Sequence, residues 1–359
     1  MSLAITTTFL LSFVLLFVFR KVAKKINLVD KPNERKHHKG AIPLVGGVSI
    51  YCSILLSSLL FIDMTQSDWL YLACGAVLIG IGVLDDKFDI SFKVRLFVQG
   101  AISLSMIMLA NLSLESLGNI AGNVPVHLPG WVSYAVTIIA VIGAINAFNM
   151  VDGIDGLLGG LASVSFGALG IMFWLQGDVD LALNCAMFIA AIVPYVLLNL
   201  GIPLGLRFKI FMGDAGSMLI GFTVVWLLIR GSQPDHSTTI NPVTALWFIA
   251  LPLMDMATIM VRRVRKGHSP FRPDREHLHH ICQRIGLSSR MTLLVICLLA
   301  ASFAGIGIWG ELYQANETAM FVAFMVLFAV YFATISHIFR ITSKIRQWMG
   351  KAPLMEEAA

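Results

Sequence analysis

Eleven apolar runs constrain this chain more than any other feature. They lie at about 3–19, 44–62, 69–84, 95–112, 131–147, 157–175, 181–199, 217–229, 243–261, 292–310 and 319–339. A helix needs about 20 mostly apolar residues to cross a bilayer, and the loops between these runs are too short for a separate soluble domain. Of the 359 residues, 57% are hydrophobic and 13% charged, roughly half the charged share of a soluble domain. Usage of Gly (30) and Pro (12) is ordinary, which excludes collagen-like and disordered chains. The sequence therefore predicts an all-α polytopic integral membrane protein of about eleven transmembrane helices, forming one domain over 1–359. The five Cys have no metal-type spacing and read as buried, inert thiols.

A net charge of +5 would raise nucleic acid as a partner in a soluble chain. Here 25 of the 26 Lys and Arg fall on one side of the expected helices, and Arg230 stands alone on the other. By the positive-inside rule that side is cytoplasmic. The loops at about 20–43, 85–94, 148–156, 200–216 and 262–291 are then inside with the C-terminus, and the N-terminus is outside. The basic balance is a topology signal, and nucleic acid is excluded. The first run carries its positive charges after it, so it reads as a retained anchor and not as a cleaved signal.

Acidic residues on the outer side (Asp63, Asp68, Glu115, Asp178, Asp180, Asp235, Glu311 and Glu317) are scattered and read as solvated loop residues. Those on the inner side cluster at helix ends, where charge near lipid is costly and usually functional. The first cluster is Asp85-Asp86 with Asp89, one helical turn on. Adjacent carboxylates repel, so a cation between them is the natural reason to keep them together. Mg²⁺ suits such hard oxygen ligands and typically takes one or two carboxylates plus substrate phosphates. In the second cluster Asn149, Asp152 and Asp155 recur every three residues, beside Gly153 and Gly156. No Lys or Arg lies in that loop, so its acids must find partners elsewhere. The third is Gly213-Asp214-Ala-Gly216-Ser217, entering the eighth run, where two glycines would let a phosphate approach a helix N-terminus. A charged helix stop, plain turn chemistry and a simple N-cap remain open as the respective alternatives. Asp255, seven residues before Arg262 on nearly the same helical face, reads equally as half of an ion pair and as a catalytic acid.

Basic and imidazole groups complement these acids. His38 and Lys39 precede Pro43 and Gly46-Gly47, and the loop after the ninth run holds Arg262 and ends Arg275-Glu-His277-Leu-His279-His280. Zinc on the three His has no Cys to complete it, and hydrogen-bonding or charged contacts to phosphates fit better. Neither a P-loop nor a strand-borne GxGxxG is present. Carboxylates, cations and glycines on one face point to phosphoryl transfer with Mg²⁺, between a soluble diphosphate donor and a lipid acceptor.

At these residues the chain resembles the polyprenyl-phosphate N-acetylhexosamine-1-phosphate transferases. The likeness rests on six pieces in order. They are His38-Lys-Gly-Ala-Ile-Pro43 with Gly46-Gly47; Asp85-Asp86; Ala147-Phe-Asn149-Met-Val-Asp152-Gly-Ile-Asp155-Gly156; Phe211-Met-Gly-Asp214-Ala-Gly-Ser217; Pro252-Leu-Met-Asp255; and Asp274-Arg-Glu-His277-Leu-His279-His280. The last run looks like the N-acetylglucosamine subgroup and differs from the triple-histidine run of the MurNAc-pentapeptide relatives. The resemblance implies UDP-N-acetylglucosamine and undecaprenyl phosphate as substrates and UMP as a product. It further implies Mg²⁺ (or Mn²⁺) as cofactor, the bacterial inner membrane as location, and a first step toward enterobacterial common antigen or O-antigen. By the same resemblance Asp214 ligates the metal, while Asp85 and Asp86 bind metal or position the lipid phosphate. Asn149, Asp152 and Asp155 would shape the nucleotide site, with His38, Lys39, Arg262, Arg275, His277, His279 and His280 on the donor's phosphates or sugar. A homodimer is left open. Another UDP-sugar donor on this scaffold and an ion-coupled transporter are the competing readings.

Overall fold

In a computed structural model, residues 1–32, 40–233, 240–270, 276–338, 343–344 and 347–348 are described. They form α1 (Ser2–Lys25), a two-stranded hairpin β1 (Val29–Asp30) and β2 (Ile42–Pro43), and α2 (Gly46–Phe61). Then come α3 (Gln66–Phe88), α4 (Phe92–Ala110), α5 (Gly130–Met150), α6 (Leu157–Leu175), α7 (Val179–Asn199) and α8 (Gly213–Ser232). The chain continues with α9 (Pro242–Phe248), α10 (Ala250–Arg265), α11 (Leu278–Ile285), α12 (Ser289–Leu312) and α13 (Glu317–Ser336). Among the described residues nine helices are long and apolar enough to cross a membrane, and the chain is a multi-pass membrane protein.

Two of the eleven runs depart from simple spans. α2 has 16 residues, short for a crossing. The ninth run, expected as one helix, is broken into α9 and α10, which meet at 79°. Pro252 explains the break: it has no N–H to give the carbonyl four residues back, and its ring crowds that carbonyl. The Phe248 carbonyl so released accepts the Ser165 hydroxyl of α6 at 2.9 Å.

α8 is the buried shaft of the bundle, enclosed over almost its whole length, with α2, α3, α5 and α6 packed around it. Protein and not lipid surrounds it, so it tolerates the Gly, Ser and Asp that made its apolar run look short. Small residues let neighbouring backbones close on it, as is usual where lipid tails are as apolar as the helices. A Cβ on Gly47 of α2 would overlap the Gly216 backbone, and one on Gly82 of α3 would overlap Ala215. Gly216 is thus spent on helix packing and not on phosphate approach. α2 has no side-chain cap at Val45. The N–H groups of Val45 and Gly46 donate instead to the Phe211 carbonyl at 3.2 and 3.0 Å, and that of Gly47 donates to the Met212 carbonyl at 3.0 Å. The entries of α2 and α8 are thereby stitched together.

At the opposite end of the bundle, several acids expected to be loosely solvated hold the loops. Glu317 accepts the Asn119 N–H at 3.0 Å and its side-chain amide at 2.6 Å. Glu311 does the same for Asn241 at 3.0 and 3.1 Å, and Asp68 pairs with Arg230 at 3.3 Å.

Candidate active site

The entries of α8 and α11, the ends of α3 and α5 and the loop after α5 surround a cavity of about 590 Å³. Asp86, Asn149, Asp152, Asp155, Asp214 and His280 line it, with Lys209, Asn199 and Gln283 among the other polar walls. The three acidic clusters of the sequence therefore meet at one place.

α8 begins at Gly213 with φ +76°, a conformation glycine adopts without strain. Its first turn has no side-chain cap of its own. Asp86 of α3 supplies one, its Oδ1 accepting the Asp214 N–H at 3.0 Å. A carboxylate at a helix N-terminus is favourable both as acceptor and through the helix dipole. The other oxygen, Asp86 Oδ2, lies against Gly213 and is buried with no hydrogen-bond partner among the described residues. Such an orphan carboxylate oxygen calls for a cation or a donor that a ligand brings.

Asp214 is held on both sides. Its Oδ1 accepts the Asn149 amide at 2.8 Å, and that amide also donates to Ser217 Oγ at 2.8 Å. Its Oδ2 stands 3.2 Å from Arg95 Nη1, which also reaches Asp85 Oδ2 at 2.6 Å. Asp85 further accepts the Ile90 N–H at 2.8 Å. Asp85 is buried with both oxygens engaged, whereas the Asp214 side chain is 36% exposed toward the cavity. Arg95 figures in the sequence only as a topology charge. Replacing it with Met is expected to cut turnover about tenfold or more, because Asp85 and Asp214 would then face each other without a cation. Steady-state kinetics on purified protein checks this.

The loop from Val151 to Gly156 finds its partners elsewhere, as its lack of cations requires. Lys209, from the segment before α8, pairs with Asp155 at 2.6 Å. Asn199, at the end of α7, accepts the Gly156 N–H at 2.6 Å and donates to the Ile210 carbonyl at 2.8 Å. Asp152 opens to the cavity yet is packed about by protein. That enclosure, with the charges of Asp214 and Asp155, pushes its carboxyl up to about 7. The folded protein thus keeps the proton to about pH 7, whereas an unfolded Asp releases it near pH 4. Ionising Asp152 therefore costs the ligand-free fold stability as pH rises through that window. Asp152→Asn is expected to raise the melting temperature at pH 8 and leave it nearly unchanged at pH 4.

The remaining histidines and arginines are placed differently from one another. His280 lines the cavity. His279 is buried against the Gly153 backbone, and burial, together with His280 and His277, pushes its imidazole down to about 3, so it stays neutral. His277 bonds to Asp255 at 2.7 Å. Arg262 is buried on the Ile335 carbonyl at 2.9 Å and Glu276 at 2.9 Å, and neither His277 nor Arg262 is among the cavity's lining residues. Asp255 is bonded to His277 and Tyr331, not to Arg262. His38, Lys39 and Arg275 lie outside the described residues.

Sequence comparison bears on the same residues. Residues 69–232, from α3 to the end of α8, match the profile of glycosyl transferase family 4. The undecaprenyl-phosphate alpha-N-acetylglucosaminyl 1-phosphate transferase of Haemophilus influenzae is 49% identical over 99% of this chain and 100% of its own length. The chain belongs to glycosyl transferase family 4. Relatives with the same name from Yersinia pestis (51% identical, 97% of this chain, 95% of theirs) and Escherichia coli (50%, 96% and 94%) extend the match through α11 to α13. The family's matched segment contains Asp85, Asp86, Asn149, Asp152, Asp155 and Asp214, while the histidine helix lies beyond it.

A divalent cation fits the carboxylates of this family 4 site. Among the described residues no three His, Cys, Asp or Glu side chains converge into a complete protein cage. Asp86 Oδ2 and Asp214 offer instead the two-carboxylate kind of site that Mg²⁺ completes with phosphate and water.

Proposed function

We propose that the chain transfers N-acetylglucosamine 1-phosphate from UDP-N-acetylglucosamine to undecaprenyl phosphate, giving the lipid-linked diphosphosugar and UMP. The observation that carries this reading is the unsatisfied Asp86 oxygen beside the cavity-facing Asp214, at one end of a membrane bundle. Near-full-length relatives named for undecaprenyl phosphate and the α-N-acetylglucosaminyl 1-phosphate group support it.

An oxygen of the lipid phosphate attacks the phosphorus bonded to the sugar, and the bond from that phosphorus to the UMP oxygen breaks. The lipid phosphate is already largely ionised at neutral pH, since its second pKa is about 6. The protein's task is therefore positioning and charge neutralisation, not extraction of a proton. Mg²⁺, or the similar hard ion Mn²⁺, held by Asp214 and Asp86, would neutralise the donor diphosphate. Asp85 and Arg95 hold Asp214 in place from one side, and Asn149 and Ser217 from the other. Asp152 and the Lys209–Asp155 pair border the nucleotide end, and His280 with Gln283 borders the sugar end.

The one-sided distribution of Lys and Arg supports placing this end of the bundle in the cytoplasm, with the N-terminus outside. Counting α2 and the broken α9–α10 pair as spans supports eleven crossings. The bacterial inner membrane and a first step of surface-polysaccharide assembly complete the reading. Purified protein given a panel of UDP-sugars, undecaprenyl phosphate and Mg²⁺ should make labelled lipid and UMP with UDP-N-acetylglucosamine best. Activity with UDP-MurNAc-pentapeptide alone would overturn the donor assignment, and no lipid product with any donor would overturn the reaction.

A further inference from the structure

The helix that brings His280 to the cavity stands on a buried polar network that the reaction itself does not touch. Asp255, in α10, is buried and accepts three hydrogen bonds: His277 Nδ1 at 2.7 Å, the Leu278 N–H at 3.1 Å and the Tyr331 hydroxyl at 2.7 Å. The tautomer follows from the other side of the ring, where Arg263 Nη2 lies 3.4 Å from His277 Nε2. A guanidinium only donates, so Nε2 accepts and Nδ1 carries the proton that goes to Asp255. Leu278 is the first residue of α11, and His277 before it gives that helix no side-chain cap. Asp255 therefore caps α11 from another helix.

α11 has eight residues, about two turns, too few to hold its shape without tertiary support. Beyond the Asp255 anchor, His279 rests on Gly153, and His280 and Gln283 face the cavity. We propose that Asp255 is a positioning residue for the donor site. Through His277 and the Leu278 N–H it fixes the first turn of α11, and so sets where His280 and Gln283 stand. The donor half of this statement rests on the transferase reading above.

The test uses the full-length protein and the variant Asp255→Asn. The Asn carbonyl still accepts from Leu278 and Tyr331, but its amide meets the His277 Nδ1–H, donor against donor. Switching the tautomer only moves the clash to Arg263. Backbone hydrogen exchange over 278–285 is expected to quicken about tenfold or more, with α3 and α8 unchanged. In kinetics, KM for UDP-N-acetylglucosamine should rise about tenfold with KM for undecaprenyl phosphate unmoved. In a His280→Ala background the same substitution should add less than about twofold. Tyr331→Phe leaves the carboxylate in place and should show a smaller exchange increase in α11, which serves if Asp255→Asn does not fold. Unchanged α11 exchange in the variants, or full multiplication of the Asp255→Asn and His280→Ala effects, would overturn the proposal. A wild-type protein without turnover would instead overturn the transferase reading, and the exchange result would still decide the anchoring role of Asp255.

Discussion

Replacing Asp86 with Asn is expected to lower turnover by about 10²- to 10³-fold while the protein still inserts and folds. The two oxygens of this carboxylate do different things. Oδ1 accepts the Asp214 N–H at the start of α8, and an Asn carbonyl can do the same, so the helix keeps its cap. Oδ2 is the buried oxygen without a partner, and in Asn it becomes an amide that can neither ligate a cation nor carry charge. The loss should appear in kcat and not as a lower melting temperature in detergent. If turnover stays within a few-fold of wild type, Asp86 is only a helix cap.

The second large effect comes from packing. Gly82→Leu, one helical turn before Asp85 and Asp86, should nearly eliminate folded, active protein, whereas Gly80→Leu on the same helix should leave activity within about twofold. A Cβ at Gly82 overlaps the Ala215 backbone, but one at Gly80 meets nothing within 4 Å. Overpacking of this kind costs about 3 kcal/mol or more, because two backbones, not a flexible side chain, must separate. Any folded remainder would carry Asp86 displaced from Asp214, and a shift of about 1 Å at reacting groups can cost about 10² in rate. Equal behaviour of the two variants, by yield and specific activity, would contradict this role for the α3–α8 contact.

Much of the architecture is legible in the sequence because lipid imposes a simple rule on composition, and each apolar run folds as helix where it is expected. The break at Ile249 was signalled by Pro252 but hidden by the continuous hydropathy around it. The acidic clusters likewise point to their shared cavity, since few other roles keep adjacent carboxylates at helix ends. Residues that satisfy those acids are harder to see. Arg95 reads as one more inner charge, and Asn199 lies at the end of an apolar run, so neither announces a partner over 100 residues or 43 residues away, respectively. Three histidines in four positions look like one phosphate-binding cluster, and their rings do adjoin, with centroids 5.8 Å apart for His277 and His279 and 4.1 Å apart for His279 and His280. But His277 is spent on Asp255 and His279 on packing over Gly153. Only His280, with Gln283 one turn on, reaches the cavity. The pairing of Asp255 with Arg262 does not form. Seven residues place them on one face but about 10 Å apart along the axis, and each bonds to a nearer partner.

In the proposed reaction the sugar moves together with its phosphate. Two preparations of UDP-N-acetylglucosamine, labelled with ³²P either at the phosphorus bonded to the sugar or at the phosphorus bonded to uridine, test it most directly. With undecaprenyl phosphate and Mg²⁺, the first label should pass to the lipid and the second should leave as UMP. Release of both labels together as UDP, with unlabelled sugar on the lipid, would mean a simple glycosyl transfer and would contradict the phosphoryl-transfer chemistry assigned to Asp86 and Asp214.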